Sequence, residues 1–298
     1  MQKNKYLTIL IVLSAGIVLL SGCAGKFEKL RRSGSEATKY KAAIRYYKKQ
    51  QYDKASILFE ELVPIMKGDS TQEIATFYQA YCDYYTANYT LSSYKFKKFA
   101  ETFARSSYAE EAVYMSAYSL YKDSSPYNLD QASTLTAIDE LQSFVNNYSE
   151  SPYRDDATNI IKELRRKLEL KAFERAKLYY QTSAYNISTL KSAVIAINNF
   201  QKDFPDSKYS EEMAFLKIKS EYELAQKSFD IKQKERFAET ILFYQAFIDK
   251  YPNSKFLKQA EALYATSQQE VERIAALEKK AKETPDPTTT KVTGATKN

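Results

Sequence analysis

The chain has 298 residues, 44% of them apolar and 27% charged, with a formal charge of +7 and neither His nor Trp. Its six glycines are Gly16, Gly22, Gly25, Gly34, Gly68 and Gly294, so residues 69–293 contain none. β-Hairpin turns and phosphate-cradling loops rely on glycine's positive φ and close backbone approach, which argues against a sheet-rich fold or a nucleotide site and for helices joined by short turns. Without His, a His-activated nucleophile and a His-ligated metal have no basis, and no catalytic residue, metal or cofactor is assigned. Lys and Arg are interspersed with Asp and Glu, which reads as solvated helix surface rather than a nucleic-acid-binding stripe.

Residues 1–22 read as a secretory signal peptide, with Lys3 and Lys5 followed by an uncharged apolar run from Tyr6 to Leu20 and two small residues. The tetrapeptide Leu20-Ser21-Gly22-Cys23 resembles the lipobox of bacterial lipoproteins, which implies that Cys23 is acylated and becomes the new N-terminus. Each buried CH₂ contributes about 0.8 kcal/mol, and two or more acyl chains give stable anchoring where one does not. Residues 23–35 then comprise the lipidated N-terminus and, with Gly25, Gly34 and four basic residues, a flexible tether. Ala24 is not the Asp that often signals inner-membrane retention, so the resemblance to sorted lipoproteins implies the outer membrane.

Residues 36–282 repeat one pattern. Taking Phe103, Tyr148, Phe204 and Tyr251 as zero, position −4 is Phe99, Phe144, Phe200 and Phe247, and position +3 is Ser106, Ser151, Ser207 and Ser254. Position +5 is Tyr108, Tyr153, Tyr209 and Phe256. Small residues dominate −11 (Ser92, Ala137, Ala193, Thr240) and +9 (Ala112, Ala157, Met213, Ala260). A degenerate upstream copy has Ala55 at −11, Phe59 at −7, Leu62 at −4, Met66 at zero and Ala75 at +9. Positions −11, −7, −4 and zero share one face of a helix. Pro205 and Pro252 end that helix, the +3 serine is a favourable N-cap for the next, and Pro152 suits its first position. Glu110, Asp155 and Glu211 complement the dipole of that next helix. Each unit is therefore a helix pair. The 37, 45, 56 and 47 residues between successive zeros leave room for an extended loop near Ser124 to Asn128 and one long helix from Arg154 to Tyr180. Cys82 has no second thiol in the mature protein and reads as a buried apolar residue.

The ladder Ala43, Tyr46, Ala55 and Phe59, followed by Ala80, Ser92 and Phe96, resembles the tetratricopeptide repeat without its usual early Trp. That resemblance implies an all-α, right-handed solenoid of about five tetratricopeptide-like helix pairs, with the first helix of each pair lining a groove. In that frame Tyr40, Ile44 and Tyr47, then Phe77, Tyr81 and Tyr84, fall on the groove. A rigid ring with a polar tip suits contact with many sequences, although packing between helices competes for each ring. Residues 283–298 turn Thr-, Pro- and Lys-rich and read as a disordered tail.

A lipobox, five such units and the turns Phe204-Pro205-Asp206-Ser207 and Tyr251-Pro252-Asn253-Ser254 together resemble the outer-membrane assembly factor BamD family, over roughly Ala37 to Leu277. The resemblance implies a non-enzymatic lipoprotein subunit of the β-barrel assembly machinery, lipid-anchored in the outer membrane and facing the periplasm. Its C-terminal units would dock on the periplasmic domains of a BamA-like barrel subunit, and its N-terminal units would meet unfolded outer-membrane proteins. Lys217, Lys219 and Arg236, near the fifth unit, are the candidate contacts to the barrel subunit. An envelope adaptor for secretion, motility or cell-wall coordination shares all of these features and is the alternative. A glycan-binding lipoprotein would want Trp platforms.

Overall fold

The structure, a computed structural model, describes residues 25–66, 68 and 70–283. The signal peptide, the acylation of Cys23 and the tail beyond Glu283 lie outside the described residues. The regular elements within them are helical: α1 (residues 25–33), α2 (Glu36–Lys48), α3 (Tyr52–Leu62), α4 (Ser70–Tyr85), α5 (Tyr89–Thr102), α6 (Ala109–Asp123), α7 (Ala132–Asn147), α8 (Arg154–Gln181), α9 (Ser188–Asp203), α10 (Ser210–Gln226), α11 (Asp230–Lys250) and α12 (Leu257–Glu283). A short 3₁₀ turn, Thr182–Ala184, follows α8. The fold is all-α, with consecutive helices packed against each other as in a repeat solenoid. The long helix expected at Arg154 to Tyr180 is α8, and the extended loop expected near Ser124 to Asn128 joins α6 to α7.

The protein divides into two compact units, Met1–Arg165 and Arg166–Asn298, with the division falling inside α8. In the N-terminal unit each helix from α2 to α7 packs on the next; in the C-terminal unit α9 packs on α10, α10 on α11 and α12, and α11 on α12.

The repeat frame has a direct structural meaning. Its zero residues, Phe103, Tyr148, Phe204 and Tyr251, are the C-caps of α5, α7, α9 and α11, with φ between −116° and −134° and ψ between 49° and 66°. Each cap donates its N–H to the −4 phenylalanine carbonyl at 2.8–2.9 Å, satisfying one of the orphan acceptors of the helix end. Those phenylalanines are at most 1% exposed, and the −11 and +9 residues are fully buried, so small side chains let helices approach where the large rings fill the space between them.

Two aromatic positions then join one repeat to the next. Phe77 stacks on Tyr108, Tyr114 on Tyr153, Phe173 on Tyr209 and Phe215 on Phe256, with centroid distances of 4.1–4.7 Å. Beside three of these stacks the +3 serine donates to an acid of the preceding repeat: Ser106 to Glu73, Ser207 to Glu169, and Ser254 to Glu211.

Two expectations are corrected. Residues 25–33 are helical and docked rather than a flexible tether: Phe27 and Leu30 pack on the first core cluster, the Phe27 ring meets Tyr46 edge-on at 5.6 Å, and Arg31 pairs with Glu61 at 2.7 Å. The apolar spacing of Phe27 and Leu30 outweighed the two flanking glycines. The +3 serines are not helix N-caps, because α6 and α10 begin after Tyr108 and Tyr209. Each serine Oγ instead accepts the N–H two residues on, at 3.0–3.2 Å, and stabilises the turn that precedes the helix. The acids expected in the first turns of α6, α8 and α10 are there.

Candidate functional site

The N-terminal unit carries a connected array of tyrosines. Tyr40, Ile44 and Tyr47 recur at i, i+4 and i+7 on α2 and therefore share one face. All three are half-buried and pack on a core that includes Ala43, Ala55, Leu58 and Phe59. The Tyr47 ring stacks on Tyr78 and the Tyr52 ring on Tyr85, each at 4.4 Å, while Tyr81 stacks on Tyr85 at 5.8 Å. Tyr84 reaches Tyr118 at 6.0 Å, and Tyr118 lies 5.5 Å from Tyr114 and 5.6 Å from Tyr121. The rings thus run without interruption from α2 and α3 through α4 to α6. Tyr85 is 48% exposed and presents the array to solvent.

Three of the hydroxyls are anchored by acids two helices further along the chain. Tyr81 donates to Glu111, Tyr114 to Asp156, and Tyr121 to Glu163 at 3.0 Å. Burial pushes the phenols of Tyr47, Tyr81, Tyr84 and Tyr114 well above the usual tyrosine range, and the neighbouring carboxylates of Glu111 and Asp156 push Tyr81 and Tyr114 further. The array therefore stays neutral at physiological pH and presents ring faces, with the hydroxyl protons of Tyr81, Tyr114 and Tyr121 held by carboxylates, which is the chemistry of a binding surface.

Of the groove residues expected from the sequence, Tyr40, Ile44, Tyr47, Tyr81 and Tyr84 are partly accessible. Phe77 is not: it is 4% exposed, set among Phe96, Phe99 and Tyr108. It occupies the position that stacks on the next repeat, so its ring serves the core, and its assignment to the groove is corrected. Sequence reasoning missed Tyr52, Tyr78, Tyr85, Tyr118 and Tyr121. A signal for the last two was available, because Tyr118 and Tyr121 stand fifteen and eighteen residues after a repeat zero, as Tyr81 and Tyr84 do.

The basic residues singled out in the C-terminal unit each meet a different neighbour. Lys217 lies over the Phe243 ring at 3.9 Å, Lys219 over Tyr180 at 4.9 Å, and Arg236 donates to Ser228. Two residues apart on α10, the lysines point to different neighbours. Lys217 is lowered by burial, partly opposed by Glu221 and Glu239. Glu221, 3% exposed, is pushed up to about 7 by burial and by Glu239.

Cys82 is fully buried, and burial pushes its thiol up to about 12, in keeping with a packing residue. Among the described residues no cluster of three His, Cys, Asp or Glu could hold a metal ion, and no helix is long and apolar enough to cross a membrane.

A search among curated proteins finds no match to this sequence. A family model described as "YfiO: Outer membrane lipoprotein" matches residues 32–187, more than half of the sequence and the stretch that carries the tyrosine array. By that match the chain belongs to the YfiO family of outer membrane lipoproteins.

Proposed function

We propose that this lipoprotein is a non-enzymatic, BamD-like subunit of the outer-membrane β-barrel assembly machinery, held at the periplasmic face of the outer membrane by acyl chains on Cys23. Its N-terminal unit binds unfolded outer-membrane proteins, and its C-terminal unit docks on the periplasmic domains of a BamA-like barrel subunit in the region of Lys217, Lys219 and Arg236. The observation that carries the reading is the coincidence of the family match, residues 32–187, with the tyrosine array of α2 to α6.

The chemistry of the array supports that reading. An unfolded barrel segment offers alternating apolar side chains and free backbone carbonyls. Tyrosines supply ring faces for the first, and hydroxyls other than those of Tyr81, Tyr114 and Tyr121 supply donors for the second, at modest entropy cost and without demanding one sequence. Anchoring beside the membrane keeps the effective concentration of this surface high where barrels are assembled.

A photocrosslinking residue in place of Tyr47 or Tyr85 tests the capture step. Barrel precursors should be recovered; recovery of lipoproteins or cell-wall fragments alone rejects it. Depleting the protein should lower the outer-membrane barrels together, and unchanged barrel levels would leave the envelope-adaptor reading in its place.

A further inference from the structure

The same recess occurs at the same place in the repeat in each unit. In the N-terminal unit it encloses about 300 Å³ between α5, α6 and α7, with Lys97, Ser116 and Glu140 in its lining. In the C-terminal unit it encloses about 240 Å³ between α9, α10 and α11, with Lys217, Phe243, Lys250 and Tyr251 in its lining. Counted from the repeat zeros, Ser116 corresponds to Lys217 and Glu140 to Phe243.

The exchange at these two positions changes the chemistry. In the N-terminal unit the protein lines the recess with its own carboxylate: Glu140 accepts from Lys97 Nζ at 2.9 Å and from Ser116 Oγ at 3.1 Å. In the C-terminal unit the acid has become an aromatic wall and the serine a second cation. Among the described residues no carboxylate stands within ion-pair distance of Lys217 or Lys250, which lie over the rings of Phe243 and Tyr251 at 3.9 and 5.6 Å. Tyr251 Oη is buried with no hydrogen-bond partner. Glu221 and Glu239 act on Lys217 from beyond that distance and only partly offset its burial, so the half-buried ammonium and the buried hydroxyl both gain from an anion placed between them.

We propose that this recess of the C-terminal unit binds a carboxylate presented by a partner polypeptide beside an apolar side chain, in the role that Glu140 performs internally in the N-terminal unit. Lys217 and Lys250 supply charge, Tyr251 a donor, and Phe243 and Phe247 the apolar wall. The recess is smaller than the roughly 300–1,000 Å³ of small-molecule pockets, which suits one inserted side chain rather than a whole ligand. The inference goes beyond the assembly reading, because it concerns the chemistry the recess accepts and not the machine that uses it. An Asp or Glu side chain and the terminal carboxylate of a polypeptide share that chemistry.

The test uses the full-length protein with its lysines ¹³C-methylated, which keeps their charge, and the resonances of Lys217 and Lys250 identified through Lys217→Gln and Lys250→Gln. Three probes are titrated: acetyl-Leu-Glu-Leu-amide, its Gln counterpart, and acetyl-Leu-Leu with a free terminal carboxylate. An acidic probe should shift both lysine resonances saturably and bind at least roughly tenfold tighter than the Gln peptide, as a charge-assisted hydrogen bond requires; which acidic probe binds identifies the source. Phe243→Glu, which restores the internal acid, should abolish binding while the protein still melts cooperatively. Equal binding of the Glu and Gln peptides, or no shift of either lysine with both acidic probes, overturns the proposal. These comparisons need no variant that might fail to fold, and they leave the barrel-depletion result free to succeed or fail separately.

Discussion

The rings of Phe215 and Phe256 lie 4.7 Å apart and 6° from parallel, tying α10 to the turn that opens α12. Phe77 with Tyr108, Tyr114 with Tyr153, and Phe173 with Tyr209 repeat the arrangement. A repeat protein is held by its nearest-neighbour interfaces, so these stacks are where the stability of one helix pair depends on the next.

That dependence is measurable. Phe215→Ala should destabilise the protein by about 3–5 kcal/mol, the cost of an emptied aromatic site in a packed core. The coupling between Phe215→Leu and Phe256→Leu in a double-mutant cycle should be about 0.5–1.5 kcal/mol, the share of stacking beyond burial. Additive denaturation midpoints would mean that the two rings contribute burial alone.

A second prediction concerns two turns that do without glycine. Gln50 and Ala87 hold φ of 57° and 61° at the ends of α2 and α4, and in both turns the following N–H bonds the carbonyl five residues back at 2.9 Å. This is the helix ending in which glycine is favoured, since a Cβ is strained in the left-handed region. Ala87→Gly should therefore raise stability by about 0.5–1 kcal/mol, against the usual penalty for glycine, and move the thermal midpoint upward. A lower midpoint would show that the added freedom of the unfolded state outweighs the relief of strain.

The repeat was legible in the sequence because its grammar is local: an aromatic before a turn, a serine after it, and a small residue where helices touch. Every −4 phenylalanine and every +9 residue of the four clear copies is buried as that grammar requires. The stacking partner of the +5 aromatic was not legible, because Phe77, Tyr114, Phe173 and Phe215 are set by contact with a different repeat and α8 shifts Phe173 out of register. Its extra turns let residues near Asp156 receive Tyr114 while Phe173 packs on α9. For the same reason Phe77 looked like a groove residue: helical spacing gives the face of a ring but not the neighbour that covers it.

Buried Glu221 makes stability depend on pH. Its carboxyl is pushed up to about 7 by burial and by Glu239, against the opposing pull of Arg236 and Lys217. Its unfolded value is the ordinary 4.5, so between about pH 4.5 and 7 the folded state holds more protons than the unfolded state. Stability should fall as pH rises through that window, by about 1–3 kcal/mol from this group. Glu221→Gln should flatten the profile and gain stability at neutral pH; a profile with the same slope in the variant would assign the effect to other groups.

The tyrosine array separates binding from folding. Tyr81 is half-buried and donates to Glu111, so Tyr81→Phe should cost about 1–2 kcal/mol of stability through the lost charge-assisted hydrogen bond, with the ring contacts to Phe77 and Phe96 retained. Tyr85, at 48% exposure, contributes its ring mainly to the surface, so Tyr85→Ser should shift the thermal midpoint little. If the array captures unfolded barrel segments, the same substitution should weaken binding of a barrel-derived peptide by about 5- to 30-fold, the scale of losing an interfacial tyrosine. Fluorescence anisotropy with both variants reads the contrast directly: a stability loss without a binding loss in Tyr81→Phe, and the reverse in Tyr85→Ser. Equal affinity of Tyr85→Ser and the unaltered protein would show that these rings brace the helices and that capture, if it occurs, uses another surface.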